Sequence, residues 1–149
     1  MNSDIFGNLR EWRRVIELLD SLKKCKKLDK HQVGLARILR YGQNWRLLET
    51  VLEYGKEIIQ PTDEFLQEVY HIMINRNFYL DVRILAVQTL ESLLPLRTKN
   101  RIKDQNFCET IVVRKMMDIL NSQEPPIFHE VIAKSLEAIR KRQKVGISQ

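Results

Sequence analysis

Glycine, proline and cysteine are scarce in this chain of 149 residues, which holds five, four and two of them. So few turn-forming residues argue against long loops and hairpin-rich β architecture. Cys25 and Cys108 lie far apart without a CxxC partner, so the spacing of metal ligands is absent, and we expect a reducing, intracellular setting. No apolar run follows Met1, so we expect neither a secretory signal nor a membrane span, and a cytoplasmic or nuclear location.

Hydrophobic residues make up 44% of the chain and charged residues 30%, which is typical of one globular domain over residues 1–149. Leu, Ile, Glu, Lys and Arg dominate and favour helices. The net charge of +6 is uneven, because residues 47–95 hold three basic and eight acidic residues while both flanks are basic. This acidic middle interrupts the continuous basic face that nucleic-acid-binding proteins usually present.

Apolar residues recur at helical spacing in seven segments, and no segment shows sustained alternation. We therefore predict an all-α fold with a capping helix over 4–22, antiparallel pairs over 29–58, 62–95 and 105–143, and a tail over 144–149. The apolar stripes expected to face the core include Ile5, Leu9, Trp12, Ile16, Leu19, Val33, Trp45, Tyr79, Ile111 and Ile127.

The expected helix boundaries follow from caps and prolines. Gly42 is the predicted C-terminal glycine of the second helix, and Asn44 and Thr62 are predicted N-caps of the third and fourth. Pro95 is expected to stop the fifth helix, followed by a basic linker over 96–104. The sequence Glu124-Pro125-Pro126 is expected to break the chain and start the seventh helix.

An internal repeat is visible in two of the helix starts. Asn44-Trp45-Arg46-Leu47-Leu48 and Asp81-Val82-Arg83-Ile84-Leu85 share the order polar, apolar, Arg, apolar, apolar and stand 37 residues apart. A looser third copy places Ile132 and Leu136 46 residues after Ala86 and Leu90. These periods fit two-helix repeats of roughly 40 residues.

Asp81-Val82-Arg83, followed by Ala86 and Leu90, resembles the second helix of a HEAT repeat. The resemblance implies a short α-solenoid of the HEAT or armadillo-like kind, formed by about seven helices. We assign Asp81, Arg83 and Ala86 to structural roles, with Ala86 small because two helices approach closely there.

Motifs for catalysis or metal binding are missing from the sequence. His31, His71 and His129 lie on three different helices without a ligand at i+4. Asp63 and Glu64 are explained by the first turn of a helix, where negative charge is favourable. No phosphate-binding loop, nucleophile elbow or dinucleotide glycine pattern occurs. We therefore expect no enzymatic activity, no cofactor and no small-molecule substrate.

The expected function is that of an adaptor or scaffold that binds another protein. The second helices of stacked pairs leave one face free and together form an extended surface. A partner with a basic patch would complement the acidic middle of the chain. The residues predicted to line this surface are Arg46, Glu49, Glu53, Gln88, Glu91, Lys134 and Glu137.

The alternative function is association with nucleic acid through the two basic ends. The chain resembles HEAT-like DNA glycosylases in its basic helical pairs and matches none of their catalytic motifs. A further alternative is that the chain is part of a longer array of repeats. If the chain associates with nucleic acid, the residues expected to contact phosphates are Lys23, Lys24, Lys26, Lys27, Arg140, Lys141 and Arg142.

Overall fold

The computed structural model describes residues 4–99 and 107–147, with side chains over 4–97 and 107–142. Within these ranges the chain folds into seven α-helices, one 3₁₀ turn and no strand, which confirms the all-α prediction. The helices are α1 (Trp12–Lys24), α2 (Gln32–Tyr41), α3 (Trp45–Gly55), α4 (Asp63–Ile74), α5 (Leu80–Lys99), α6 (Glu109–Leu120) and α7 (Pro126–Ile147), and the 3₁₀ turn (Leu28–His31) precedes α2.

Local sequence determines where α2 ends and where α3 and α4 begin. The Asn44 side-chain oxygen accepts hydrogen bonds from the backbone N–H groups of Arg46 (2.9 Å) and Leu47 (3.2 Å), which otherwise lack partners. Thr62 accepts one from Phe65 N–H at 3.2 Å. Gly42 adopts the left-handed conformation (φ 62°) that ends α2. All three predicted caps are confirmed.

The helices pack in pairs, with α2 against α3, α4 against α5 and α6 against α7. Helices α1, α3, α5 and α7 also lie side by side, each contacting the next. The Tyr54 hydroxyl of α3 donates to Asp20 of α1 at 2.5 Å, and Thr89 of α5 donates to the Leu52 carbonyl of α3 at 2.8 Å. Because corresponding positions meet, these helices run parallel, and their N-terminal ends share one edge of the molecule.

A buried ion pair fastens α5 to the loop before α7. Arg83 donates to both carboxylate oxygens of Glu124 (3.0 and 2.9 Å) and to the Met73 carbonyl (3.0 Å). Its guanidinium carbon lies 4.2 Å from the centroid of the Phe128 ring in α7. Arg83 and Ala86 are both buried, which agrees with the structural roles predicted for them, whereas Asp81, predicted to have such a role too, is exposed at the start of α5.

The first predicted helix, over 4–22, is wrong at its N-terminal end, because α1 begins only at Trp12. Gly7 has a positive φ of 64°, which a right-handed helix does not allow. Phe6 is fully buried against Gly34 of α2, and Asp4 forms an ion pair with Arg37 at 2.5 Å. Residues 4–11 are therefore held against α2, and Ile5, predicted to be buried, is exposed.

Pro95 does not stop the fifth helix, because α5 continues through it to Lys99. A proline inside a helix leaves the carbonyl four residues earlier without its usual partner. Here that carbonyl belongs to Glu91, and it accepts a hydrogen bond from Arg142 of α7 at 2.8 Å. The predicted linker is thus wrong over 96–99, and its remainder, 100–104, lies outside the described residues.

The predicted boundaries of the last pair also change. Helix α6 begins at Glu109, whereas residues 105–106 lie outside the described part of the chain. Helix α7 begins at Pro126 as expected but continues to Ile147, so the predicted tail is wrong over 144–147. No proline follows Pro126, and the i,i+4 ion pair between Glu137 and Lys141 (3.4 Å) supports the continuing helix. Residues 148–149 lie outside the described residues.

Besides Ile5, five residues predicted to face the core are exposed, and all five stand in the first turn of a helix or immediately before it. The helical period predicts which face a residue shares with its neighbours. It does not predict whether a neighbouring helix extends far enough to cover the first turn. The exposed residues are Val33 in α2, Trp45 in α3, Tyr79 immediately before α5, Ile111 in α6 and Ile127 in α7.

Candidate functional site

Aromatic and arginine side chains gather where α1, α3 and α5 begin. Trp12 and Trp45 are the first residues of α1 and α3. The guanidinium carbon of Arg46 lies 5.4 Å from the Trp12 ring centroid and 5.2 Å from that of Trp45. Tyr79 precedes α5 and is 71% exposed, while Trp45 is 46% exposed. We refer to Trp12, Trp45, Arg46 and Tyr79 as the aromatic edge.

A cleft of about 310 Å³ lies within this edge, between the starts of α3 and α5. We refer to it as the α3–α5 cleft. Its walls combine aromatic, aliphatic and acidic side chains. The lining residues are Trp45, Glu49, Tyr79, Leu80, Asp81 and Val82.

The two carboxylates of the α3–α5 cleft form no ion pair with any described side chain. Among the described side chains, no Lys, Arg or His nitrogen lies within 4.0 Å of Glu49 or Asp81. Glu53, one turn further along α3, is paired with Lys56 at 3.2 Å. Arg46 is close in sequence to Glu49, but its guanidinium lies against the two tryptophan rings. The cleft therefore presents uncompensated negative charge beside exposed aromatic rings.

The predicted protein-binding residues do not all belong to this region. Arg46 lies in the aromatic edge and Glu49 in the cleft, and Glu53 and Gln88 are exposed on α3 and α5. Glu91 is half-buried, and its carboxylate accepts a hydrogen bond from Ser135 of α7 at 2.6 Å. It thus contributes to the contact between α5 and α7.

Lys134 and Glu137 are exposed on α7, and each forms an ion pair within that helix. Lys134 lies 3.3 Å from Glu130, and Glu137 lies 3.4 Å from Lys141. Glu137 also belongs to a second cleft of about 440 Å³ between α6 and α7. The residues that line this second cleft are Leu120, Ala133, Leu136, Glu137, Arg140 and Lys141.

The four lysines predicted to contact phosphates lie at the C-terminal end of α1 and just after it, at the opposite end of α1 from Trp12. Lys23 is partly buried, pairs with Glu57 at 3.6 Å and lies 4.5 Å from the Tyr54 ring centroid. The remaining lysines, Lys24, Lys26 and Lys27, are exposed. In the described part of the chain these three form no ion pair.

The basic residues of α7 mostly contact the protein itself. Arg142 donates to the Glu91 carbonyl, and Lys141 pairs with Glu137. Arg140 lies 3.4 Å from the sulfur of Met117. These contacts leave the three exposed lysines at and after the end of α1 as the better candidates for phosphate contacts.

Histidines and carboxylates do not converge on a metal site in the described residues, where no group of three or more His, Cys, Asp or Glu side chains is placed to hold an ion. His129 has a structural contact instead. Its Nε2 lies 3.0 Å from the Ile119 carbonyl and 2.9 Å from the Ser122 carbonyl. Because both partners are acceptors, Nε2 carries the proton and ties α7 to the end of α6.

Comparison of the chain with family models, curated proteins and solved structures finds no match. Among the described helices, none has the length and apolar composition needed to cross a bilayer.

Trp45 and Tyr79 are surface residues that helical periodicity does not predict. Trp45 shares a helical face with Leu48 and Leu52, and Tyr79 stands three residues before Val82, so periodicity assigned both to the core. Their places at or just before a helix start are the signal that distinguishes them, because a large aromatic residue there stands at the edge of the packed region.

Proposed function

We propose that this chain is a non-enzymatic protein-interaction module, an adaptor or scaffold built as a short α-solenoid of the HEAT or armadillo-like kind. The arrangement of the helices supports the architecture. Helix α1 contacts α3, α3 contacts α5, and α5 contacts α7. Helix α2 likewise contacts α4. Arrays of stacked helix pairs have these contacts, and they use their extended faces for binding.

The observation that carries the proposed function is the exposure of Trp45, which lies against Arg46, and of Tyr79, which lines the same cleft as Trp45. Tryptophan, tyrosine and arginine are the residues that dominate binding energy at protein interfaces. Large aromatic side chains gain free energy when a partner removes them from water. The adjacent α3–α5 cleft gives the edge an open depression in which a partner side chain meets residues of both α3 and α5.

Site-specific photo-crosslinking tests this proposal. A benzophenone amino acid is placed at Tyr79 in one variant and at Ile59, which is 69% exposed in the loop between α3 and α4, in a matched control. Cells that express either variant are irradiated, and extracts are treated with nuclease. We expect defined protein adducts from position 79 that are missing from position 59.

Substitution then measures what the edge contributes. Trp45→Ala and Tyr79→Ala should each weaken binding of an identified partner by about tenfold or more, because interface aromatic residues often reach that level. Ile59→Ala should leave affinity unchanged. Equal binding by all three variants, or identical adducts from positions 59 and 79, would exclude the aromatic edge as the binding surface.

Nucleic-acid association is the second candidate, favoured by the three exposed lysines at the end of α1. Binding through three phosphates should weaken about 40-fold between about 50 and 200 mM salt, because each contact releases counterions. We expect weak, non-specific binding to labelled DNA and RNA duplexes in fluorescence anisotropy, lost near physiological salt. Submicromolar binding to a defined sequence at that salt would rank this function first.

A further inference from the structure

The α3–α5 cleft has the chemistry of a site for a cationic side chain. Trp45 and Tyr79 contribute exposed aromatic rings, and the partly buried Leu80 adds apolar surface. Glu49 and Asp81 contribute carboxylates from two different helices. Aromatic faces attract cations through the ring quadrupole, and carboxylates attract them through charge and hydrogen bonding.

Among the residues that the structure describes, the chain places no Lys, Arg or His nitrogen within 4.0 Å of the two carboxylates of this cleft. Arg46 is the nearest in sequence to Glu49, and its guanidinium lies against Trp12 and Trp45. Glu49 and Asp81 both lie in residues 47–95, a segment that holds eight acidic and three basic residues in total. The negative charge of the cleft is therefore available to a partner.

We infer that the α3–α5 cleft binds an arginine side chain of the partner protein; this inference rests on the proposed protein-binding function. Arginine fits better than lysine because its planar guanidinium stacks on an aromatic ring while its N–H groups reach two separate carboxylates. Lysine places a compact, strongly hydrated charge at one point and stacks less well. The Arg46 guanidinium already lies 5.2 Å from the Trp45 ring centroid, whereas Tyr79 has no cation over its ring among the described residues, so Tyr79 is the ring on which the partner's arginine stacks.

Nuclear magnetic resonance titration of the full chain tests the inference with defined probes. N-acetyl-arginine amide is added to labelled protein, and the indole N–H of Trp45, assigned through Trp45→Phe, is followed with the backbone amide of Asp81. A fragment of this size is expected to bind in about the millimolar range. We expect saturable shifts at both positions, weaker binding of N-acetyl-lysine amide, and no saturable shift with neutral N-acetyl-citrulline amide.

Variants assign the effect to the two carboxylates. Glu49→Gln with Asp81→Asn should weaken binding of the arginine probe at least tenfold. Glu53→Gln is the matched control on the same helix and should bind as the unchanged chain does. Equal binding of the citrulline and arginine probes, no saturable shift, or equal loss in the Glu53→Gln control would overturn the inference.

The inference and the proposed function fail in different ways. Adducts from position 79 without binding of the arginine probe would leave the protein-binding function in place and remove arginine as the occupant. Binding of the probe without any adduct from position 79 would support the cationic site and contradict the proposed protein partner.

Discussion

Replacing Glu124 with glutamine should destabilise the protein far more than a surface substitution of the same kind. The side chains of Arg83 and Glu124 are only 4% and 6% exposed, and they share two hydrogen bonds. Arg76 adds a second cation 3.4 Å from the same carboxylate. Removing one partner of such a pair leaves a buried charge without compensation, which costs about 3–5 kcal/mol.

Urea unfolding followed by circular dichroism measures this cost. Glu130→Gln is the matched control, because Glu130 pairs with Lys134 in the exposed i,i+4 geometry, a contact that contributes about 0.3–0.5 kcal/mol. A double variant, Arg83→Met with Glu124→Gln, should lose less than the sum of its single changes because the two residues interact directly. If Glu124→Gln and Glu130→Gln lower the free energy of unfolding equally, the buried pair does not hold α5 to the loop.

The ion pair between Arg83 and Glu124 should also make the free energy of unfolding depend on pH. The hydrogen bonds from Arg83 hold the pKa of Glu124 below its ordinary value in the folded protein, with the charges of Arg83 and Arg76 acting in the same direction against the opposing effect of burial. Stabilisation by this carboxylate is therefore complete above its unfolded pKa of about 4.3 and is lost as pH falls through the lower folded pKa. The stability difference between the unchanged chain and Glu124→Gln should be constant from pH 7 to about 5 and narrow below about pH 4.

Two further predictions concern close packing. Ala86 is fully buried, so Ala86→Leu should overpack its site, cost about 1–3 kcal/mol and lower the thermal midpoint by several degrees; an unchanged midpoint would contradict the structural role given to this residue. A Cβ added at Gly34 would lie 2.6 Å from two ring carbons of Phe6, so Gly34→Ala should destabilise the protein by displacing that ring. Adding Phe6→Leu to Gly34→Ala should cost less than the two single losses combined, and strict additivity of the two would argue against the contact.

The comparison of Pro95 with Asn44 separates what local sequence predicts from what it does not. A cap such as Asn44 bonds to backbone groups two and three residues away, so the four residues that form it are adjacent in the sequence. A proline normally ends a helix for an equally local reason. At Pro95 the lost bond is compensated by Arg142, which is 51 residues from Glu91 in the chain. Only the packing of α7 on α5 brings the two together.

Composition, helical periodicity and caps were sufficient to predict an all-helical chain and most helix starts. The candidate site depends on contacts that no local pattern contains. Glu49 and Asp81 line one cleft because α3 and α5 run parallel, and Trp45 and Tyr79 are exposed because none of the described helices covers the edge on which they lie. Periodicity determines the face on which a residue lies, whereas burial depends on whether a second element reaches that face. The sequence alone therefore determined the helices, and the tertiary structure decided which of their side chains are left for a partner.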